Sequence, residues 1–135
     1  IETGTFKAYS TIHIAQAISD NGGEKCYTVD IKQRAEAEQN ILLAQLSDVT
    51  TTIEADSTKW SPPKGFFADL ILLDAIHKVQ FIKDEIKALS GAITRDTVIV
   101  IHDTKTAKEV RDATQGFYVP SEFGFTVGRI GDLWK

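Results

Sequence analysis

Ala68-Asp69-Leu70-Ile71-Leu72-Leu73-Asp74 is an apolar run interrupted once and closed by an acid. Such a run marks a parallel strand buried on both faces. Thr97-Val98-Ile99-Val100-Ile101 repeats the pattern and ends in His102-Asp103-Thr104. Between them, His77 to Leu89 places Val79, Ile82, Ile86 and Leu89 on one stripe, which predicts an amphipathic helix. Strand, helix and strand make a crossover unit, and the class that follows is α/β with right-handed connections.

The same alternation continues toward both ends. Ile1 to Thr3 enters as a strand, Gly4 supplies a tight turn, and Ser10 is the expected N-cap of a helix over Thr11 to Ser19. Asp20-Asn21-Gly22-Gly23 stops that helix. Cys26 to Ile31 reads as a second strand, Arg34 to Leu46 as a helix, and Thr50 to Ala55 as a third strand. Trp60-Ser61-Pro62-Pro63-Lys64-Gly65 is a loop. Past the fifth strand, Lys105 to Ala113 reads as a short helix. The closing segment suggests an antiparallel hairpin that pairs Phe123 to Val127 with Gly131 to Trp134 across Gly128-Arg129-Ile130-Gly131.

A chain of 135 residues is expected to form one domain, 1–135, burying roughly 68% of its unfolded surface. The formal charge of -4 argues against a nucleic-acid partner, which calls for a basic face. Cys26 is the single cysteine, so there is neither a disulfide framework nor a thiolate metal cluster, and a reducing, cytoplasmic setting fits. No apolar stretch approaches membrane-spanning length. Methionine is absent and the chain opens inside a strand, so Ile1 is not expected to be the natural start of the protein.

Ligands of open parallel sheets bind beyond the carboxyl ends of the strands. Polar and acidic residues collect at those positions: Glu2 to Thr5, Asp30, Asp56-Ser57, Asp74 to His77, and His102 to Thr104. Each alone is consistent with a helix cap or a solvated loop. Five together on one edge are the strongest functional signal in the sequence.

Glu2-Thr3-Gly4-Thr5 with Tyr9-Ser10, the acid closing the second strand, Ala55-Asp56-Ser57, Leu73-Asp74 and Ile101-His102-Asp103-Thr104 together resemble a class I S-adenosylmethionine-dependent methyltransferase. The pattern looks most like the catechol O-methyltransferase type and the related small sugar- or antibiotic-modifying O-methyltransferases. The resemblance implies a Rossmann-like, doubly wound, mostly parallel sheet in three layers, α/β/α, with a C-terminal antiparallel hairpin. It places Glu2 and the Gly4-Thr5 turn beside the methionine part of S-adenosylmethionine, and Tyr9 and Ser10 near its amino-acid end. Asp30 falls to the ribose hydroxyls, Asp56 and Ser57 to the adenine edge. It further implies a divalent ion, magnesium or another, on Asp74 and Asp103 with His102 or Thr104, and a base at His77. Asp74 and His77 are thus the catalytic candidates. The implied reaction is methyl transfer to a hydroxyl of a small-molecule acceptor.

Three departures stand out. Ala8 replaces the third glycine of the usual opening loop, Ile76 stands where relatives often carry an acid or tryptophan, and the N-terminal covering helices are missing. A core so uncovered is expected to form at least a homodimer, or else a poorly soluble monomer. The alternative is a cofactor-binding module or partner subunit without transfer activity. A nicotinamide-dependent oxidoreductase is disfavoured, because Gly4 to Ala8 does not supply Gly-x-Gly-x-x-Gly.

Overall fold

The computed structural model describes residues 1–134. Its contacts divide the chain into two compact units, Ile1–Asp56 and Ser57–Lys135. Each unit carries parallel strands joined through helices, and the second adds antiparallel ones, a Rossmann-like α/β architecture.

In the first unit the order is β1 (Glu2–Thr3), α1 (Tyr9–Asp20), β2 (Cys26–Asp30), α2 (Ala35–Leu43) and β3 (Thr50–Glu54). The strands lie β3-β2-β1, all parallel, with Glu2 opposite Thr28 and Asp30 opposite Glu54. Two successive crossovers in one direction put α1 and α2 on the same face. There Ala8, Ala15, Cys26, Ala37, Ile41 and Leu46 form a buried cluster, flanked by Ile12, Ile14 and Ile18. Burial pushes the Cys26 thiol up to about 11, with the Glu2 charge adding to the rise. The helix α2 ends earlier than its apolar spacing predicted, because Gln45 turns left-handed at φ 59° and leads the chain back toward β3.

The second unit runs β4 (Leu70–Leu73), α3 (Val79–Ala88), β5 (Val98–Ile101), α4 (Lys108–Ala113), β6 (Phe117–Val119), β7 (Phe125–Gly128) and α5 (Ile130–Leu133). Its strands lie β4-β5-β7-β6, with β4 and β5 parallel and β7 antiparallel to both its neighbours. Ile71, Leu73, Ile99 and Ile101 are fully buried, whereas Leu70, Leu72, Val98 and Val100 are only partly so. The expectation of two equally buried faces is thus met on one.

The closing hairpin exists, but it pairs β6 with β7 rather than Phe123–Val127 with Gly131–Trp134. Residues 130–133 instead make one helical turn that drops Leu133 fully into the core. A Cβ on Gly116 would meet the Leu133 side chain at 2.8 Å, and one on Gly128 would meet it at 3.0 Å. Those glycines make a seat for a side chain, and at Gly128 the sequence had suggested a turn instead. Lys135 lies outside the described residues.

Candidate functional site

In the first unit, the turn from β1 into α1 is built from left-handed residues: Gly4 at φ 90°, Phe6 at 46° and Ala8 at 63°. Glycine takes this conformation freely, whereas a residue with a Cβ does so at about 1–2 kcal/mol. Hydrogen bonds hold the turn against that strain. The Gly4 N–H donates to Val29 O at 2.8 Å and the Ala8 N–H to Thr5 O at 2.7 Å. The Phe6 N–H donates to Asp30 Oδ2 at 2.9 Å, and the Lys32 N–H to Asp30 Oδ1 at 3.2 Å. A carboxylate offers about four acceptor positions, so Asp30 retains capacity for two hydroxyl donors. That capacity is what a ribose diol requires.

Beneath this turn, the buried carboxylate of Glu2 is fastened by the hydroxyls of Ser10, Thr11 and Thr28, the last at 2.6 Å. Ser10 is therefore not the N-cap of α1. That position belongs to Ala8, which has no capping side chain. A carboxylate removed from water requires donors more than an exposed helix end requires an acceptor. Thr5 is buried, with its hydroxyl 2.7 Å from that of Thr28. Tyr9 is exposed and meets the His13 ring edge-on at 5.0 Å. Glu2, Gly4, Thr5, Tyr9, Ser10 and Asp30 thus gather around one turn, while Asp56 follows β3, which pairs with β2.

Gln33 was not singled out from the sequence. Its Nε2 donates to Ile53 O at 2.9 Å, while its buried Oε1 has no hydrogen-bond partner among the described residues. The signal was a polar residue three positions past the acid that closes β2.

In the second unit, Asp74 and His77 occupy the loop between β4 and α3, and His102, Asp103 and Thr104 follow β5. Because β4 and β5 are parallel and in register, both loops leave the same end of the sheet. Asp74 Oδ1 is 2.6 Å from His102 Nδ1 and 3.4 Å from His77 Nε2. The other His77 nitrogen, Nδ1, is 3.6 Å from Asp103 Oδ2. The His102 ring lies against Phe123 and Phe125, with centroids at 5.4 and 5.0 Å. The contact with Asp74 raises the His77 pKa above the ordinary imidazole value; burial opposes the rise, and the Asp103, Asp74 and Glu85 charges reinforce it.

Donor atoms of Asp74, His77 and His102 all lie within 4.8 Å of one another. Asp103, left-handed at φ 56°, faces both histidines, its Oδ2 3.6 Å from His77 Nδ1 and its Oδ1 3.7 Å from His102 Nδ1. Thr104 is buried, its N–H donating to Gly124 O at 3.2 Å, while its hydroxyl has no hydrogen-bond partner among the described residues. Ser57, expected at the adenine edge, donates its hydroxyl to the buried Glu85 carboxylate at 2.7 Å. A cavity of about 600 Å3 between residues 58–65 and 84–91 shares no residue with the histidine cluster.

In the first unit a glycine turn and an acid stand at the strand ends, in the second a carboxylate–imidazole cluster does, and strand ends of this kind are where open α/β sheets bind ligands. The family follows from comparison: the chain belongs to the methyltransferase-domain family, whose model matches residues 1–104. This bears out the resemblance to class I methyltransferases. No curated protein matches the sequence significantly. Among solved structures, cofactor-bound Rv0187 from MTB is 18% identical with a TM-score of 0.72, over 93% of this chain and 69% of that one. The O-methyltransferase TomG from Streptomyces achromogenes, in complex with SAM, is 15% identical with a TM-score of 0.64, over 93% and 70%. A ribosomal protein L11 methylase from Lactobacillus delbrueckii subsp. bulgaricus is 16% identical with a TM-score of 0.67, over 95% and 67%. At such identities the likeness shows the fold, and two of these neighbours are named for different acceptors. Among the described residues no helix is long and apolar enough to cross a membrane.

Proposed function

We propose that the chain binds S-adenosylmethionine and directs its methyl group to a hydroxyl of a small-molecule acceptor. The observation that carries the reading is His77 held between two carboxylates at the carboxyl end of the β4–β5 pair, in a chain of the methyltransferase family. S-adenosylmethionine supplies an electrophilic methyl on a sulfonium centre. The remaining work falls to the chain. Asp30 accepts the ribose hydroxyls on its two spare positions, and the Gly4-Thr5 turn admits the methionine end close to the backbone. Asp56 contributes at the adenine edge, and Tyr9 borders the amino-acid end.

An acceptor hydroxyl is a poor nucleophile until its proton is removed. His77 takes that proton, and the two flanking carboxylates, Asp74 and Asp103, stabilise the imidazolium formed. Titration calorimetry with S-adenosylhomocysteine, followed by a turnover assay on a panel of hydroxylated acceptors, tests the reading. Binding and turnover that is lost in His77→Gln are expected. Binding without turnover on any acceptor points instead to a non-catalytic cofactor module, and absence of binding removes both readings.

A further inference from the structure

We propose that the cavity between residues 58–65 and the end of α3 binds a phosphorylated small molecule, at a second ligand site apart from the histidine cluster and independent of the methyl-transfer reading. Its volume of about 600 Å3 falls within the roughly 300–1,000 Å3 of small-molecule sites. The loop wall brings Lys59 and Lys64, and the wall formed by the end of α3 brings Asp84 and Lys87. Ser61 and Ser90 add a hydroxyl residue on each side. The helix α3 is the crossover between the parallel strands β4 and β5, so it begins just past His77 and ends toward the amino end of β5. Its ten residues, at about 1.5 Å each, set the cavity about 15 Å from the start of the helix. Cofactors of open sheets bind at the carboxyl ends of the strands, the opposite side.

Charge decides the class of ligand. In a chain of net charge -4, three lysines line this cavity against one acid. Asp84 already accepts a hydrogen bond from Gln80 Nε2 at 3.0 Å. Among the described residues, Lys64 and Lys87 take part in no ion pair. Lys87 lies in the last turn of α3 and offsets the partial negative charge, about half a unit, at that helix end. That accounts for one lysine, whereas Lys59 and Lys64 come from the facing loop and are surplus to it. Each ammonium offers three donors and no acceptor, and phosphate oxygens are its charge-assisted partners. The cavity is also preformed. The Ser57 hydroxyl donates to the buried Glu85 carboxylate at 2.7 Å, the Ser61 hydroxyl to Ala88 O at 3.0 Å, and the Ala68 N–H to Ala92 O at 2.9 Å. Three ties along its length fasten the loop to α3 and the turn that follows, so a ligand does not have to order the walls. A lone phosphate fills a small part of the space, and a phosphorylated molecule of sugar-phosphate size suits it.

The test is titration calorimetry of the whole chain with inorganic pyrophosphate at low ionic strength. One pyrophosphate per chain is expected, with an affinity that falls as added salt screens the attraction. Lys64→Gln and Lys87→Gln should each weaken binding about tenfold, the loss of one charged hydrogen bond. Gly91→Glu probes the same cavity from a position that spares the fold, because a Cβ there meets nothing within 4 Å. Its added negative charge should also weaken pyrophosphate about tenfold. Lys108→Gln, on α4 and outside the cavity, should leave binding unchanged. Absence of binding, binding unchanged in both cavity lysine variants, or an equal loss in Lys108→Gln overturns the proposal. Pyrophosphate that is expelled by S-adenosylhomocysteine occupies the cofactor site instead, and that result overturns it as well.

Discussion

Replacing Thr28 tests whether the floor of the cofactor turn is held by polar contacts or by packing. Thr28 is fully buried in β2, and its hydroxyl donates to the Glu2 carboxylate at 2.6 Å and lies 2.7 Å from the Thr5 hydroxyl. Thr28→Val nearly preserves volume and strand preference while deleting both contacts. A hydrogen bond to a buried charged group contributes about 1.5–3 kcal/mol, and a neutral one about 0.5–1.5. The Thr11 and Ser10 hydroxyls remain on Glu2, so the expected loss is about 2–4 kcal/mol. Thr28→Ser keeps the hydroxyl and loses one methyl, for about 1 kcal/mol. Each kcal/mol lowers Tm by about 3–5 °C at this chain length. The assay is thermal unfolding of both variants beside the parent, by circular dichroism. If the serine variant melts as low as the valine variant, methyl packing rather than the Glu2 network holds the turn, and the reasoning is refuted.

Asp30→Ala should weaken S-adenosylhomocysteine by about 1–3 kcal/mol in calorimetry, since it removes both the diol acceptor and the partner of the Phe6 amide; unchanged affinity would take Asp30 out of the ribose site. Cys26, with its thiol pushed up to about 11, should resist aromatic disulfide reagents at pH 8 until denaturant is added. For His77 the folded-state pKa is raised, so its proton stabilises the fold fully below the ordinary value near 6.5, and that contribution fades as pH climbs through the raised value. The urea midpoint of the parent should accordingly exceed that of His77→Gln most at pH 6 and less at pH 8. A gap that widens toward pH 8 contradicts the assignment.

Apolar runs and helical stripes carried the fold, because burial against a sheet leaves a one-dimensional trace. Leu70–Leu73, Val98–Ile101 and the Val79, Ile82, Leu89 stripe could be located from that trace. Gly4 and Asp30 were legible for a similar reason: a turn and a strand end are local events. What stayed hidden depends on contacts between distant residues. Glu2 and Thr28 are 26 positions apart, and nothing in either neighbourhood shows that one binds the other. Leu133 reads as part of a strand until Gly116 and Gly128 are seen to make room for it. His102 and Asp103 are adjacent, yet His102 meets Asp74 while Asp103, left-handed in its backbone, sets its carboxylate between the two histidine rings, which the sequence does not reveal.

The turn at Gly4, Phe6 and Ala8 has a consequence for the order in which the chain opens and closes. The N–H groups of Gly4 and Phe6 are satisfied by Val29 and Asp30, residues that exist in position only once β2 has docked. The cofactor loop cannot take shape ahead of the second strand, nor outlast it. The two behave as one cooperative unit of local unfolding, so the amide of Phe6 should exchange with deuterium at the rate of the β2 amides, far more slowly than its place in an exposed loop suggests. Whatever loosens β2, even a substitution on its far side, reaches the ligand turn as a change in how often it is open.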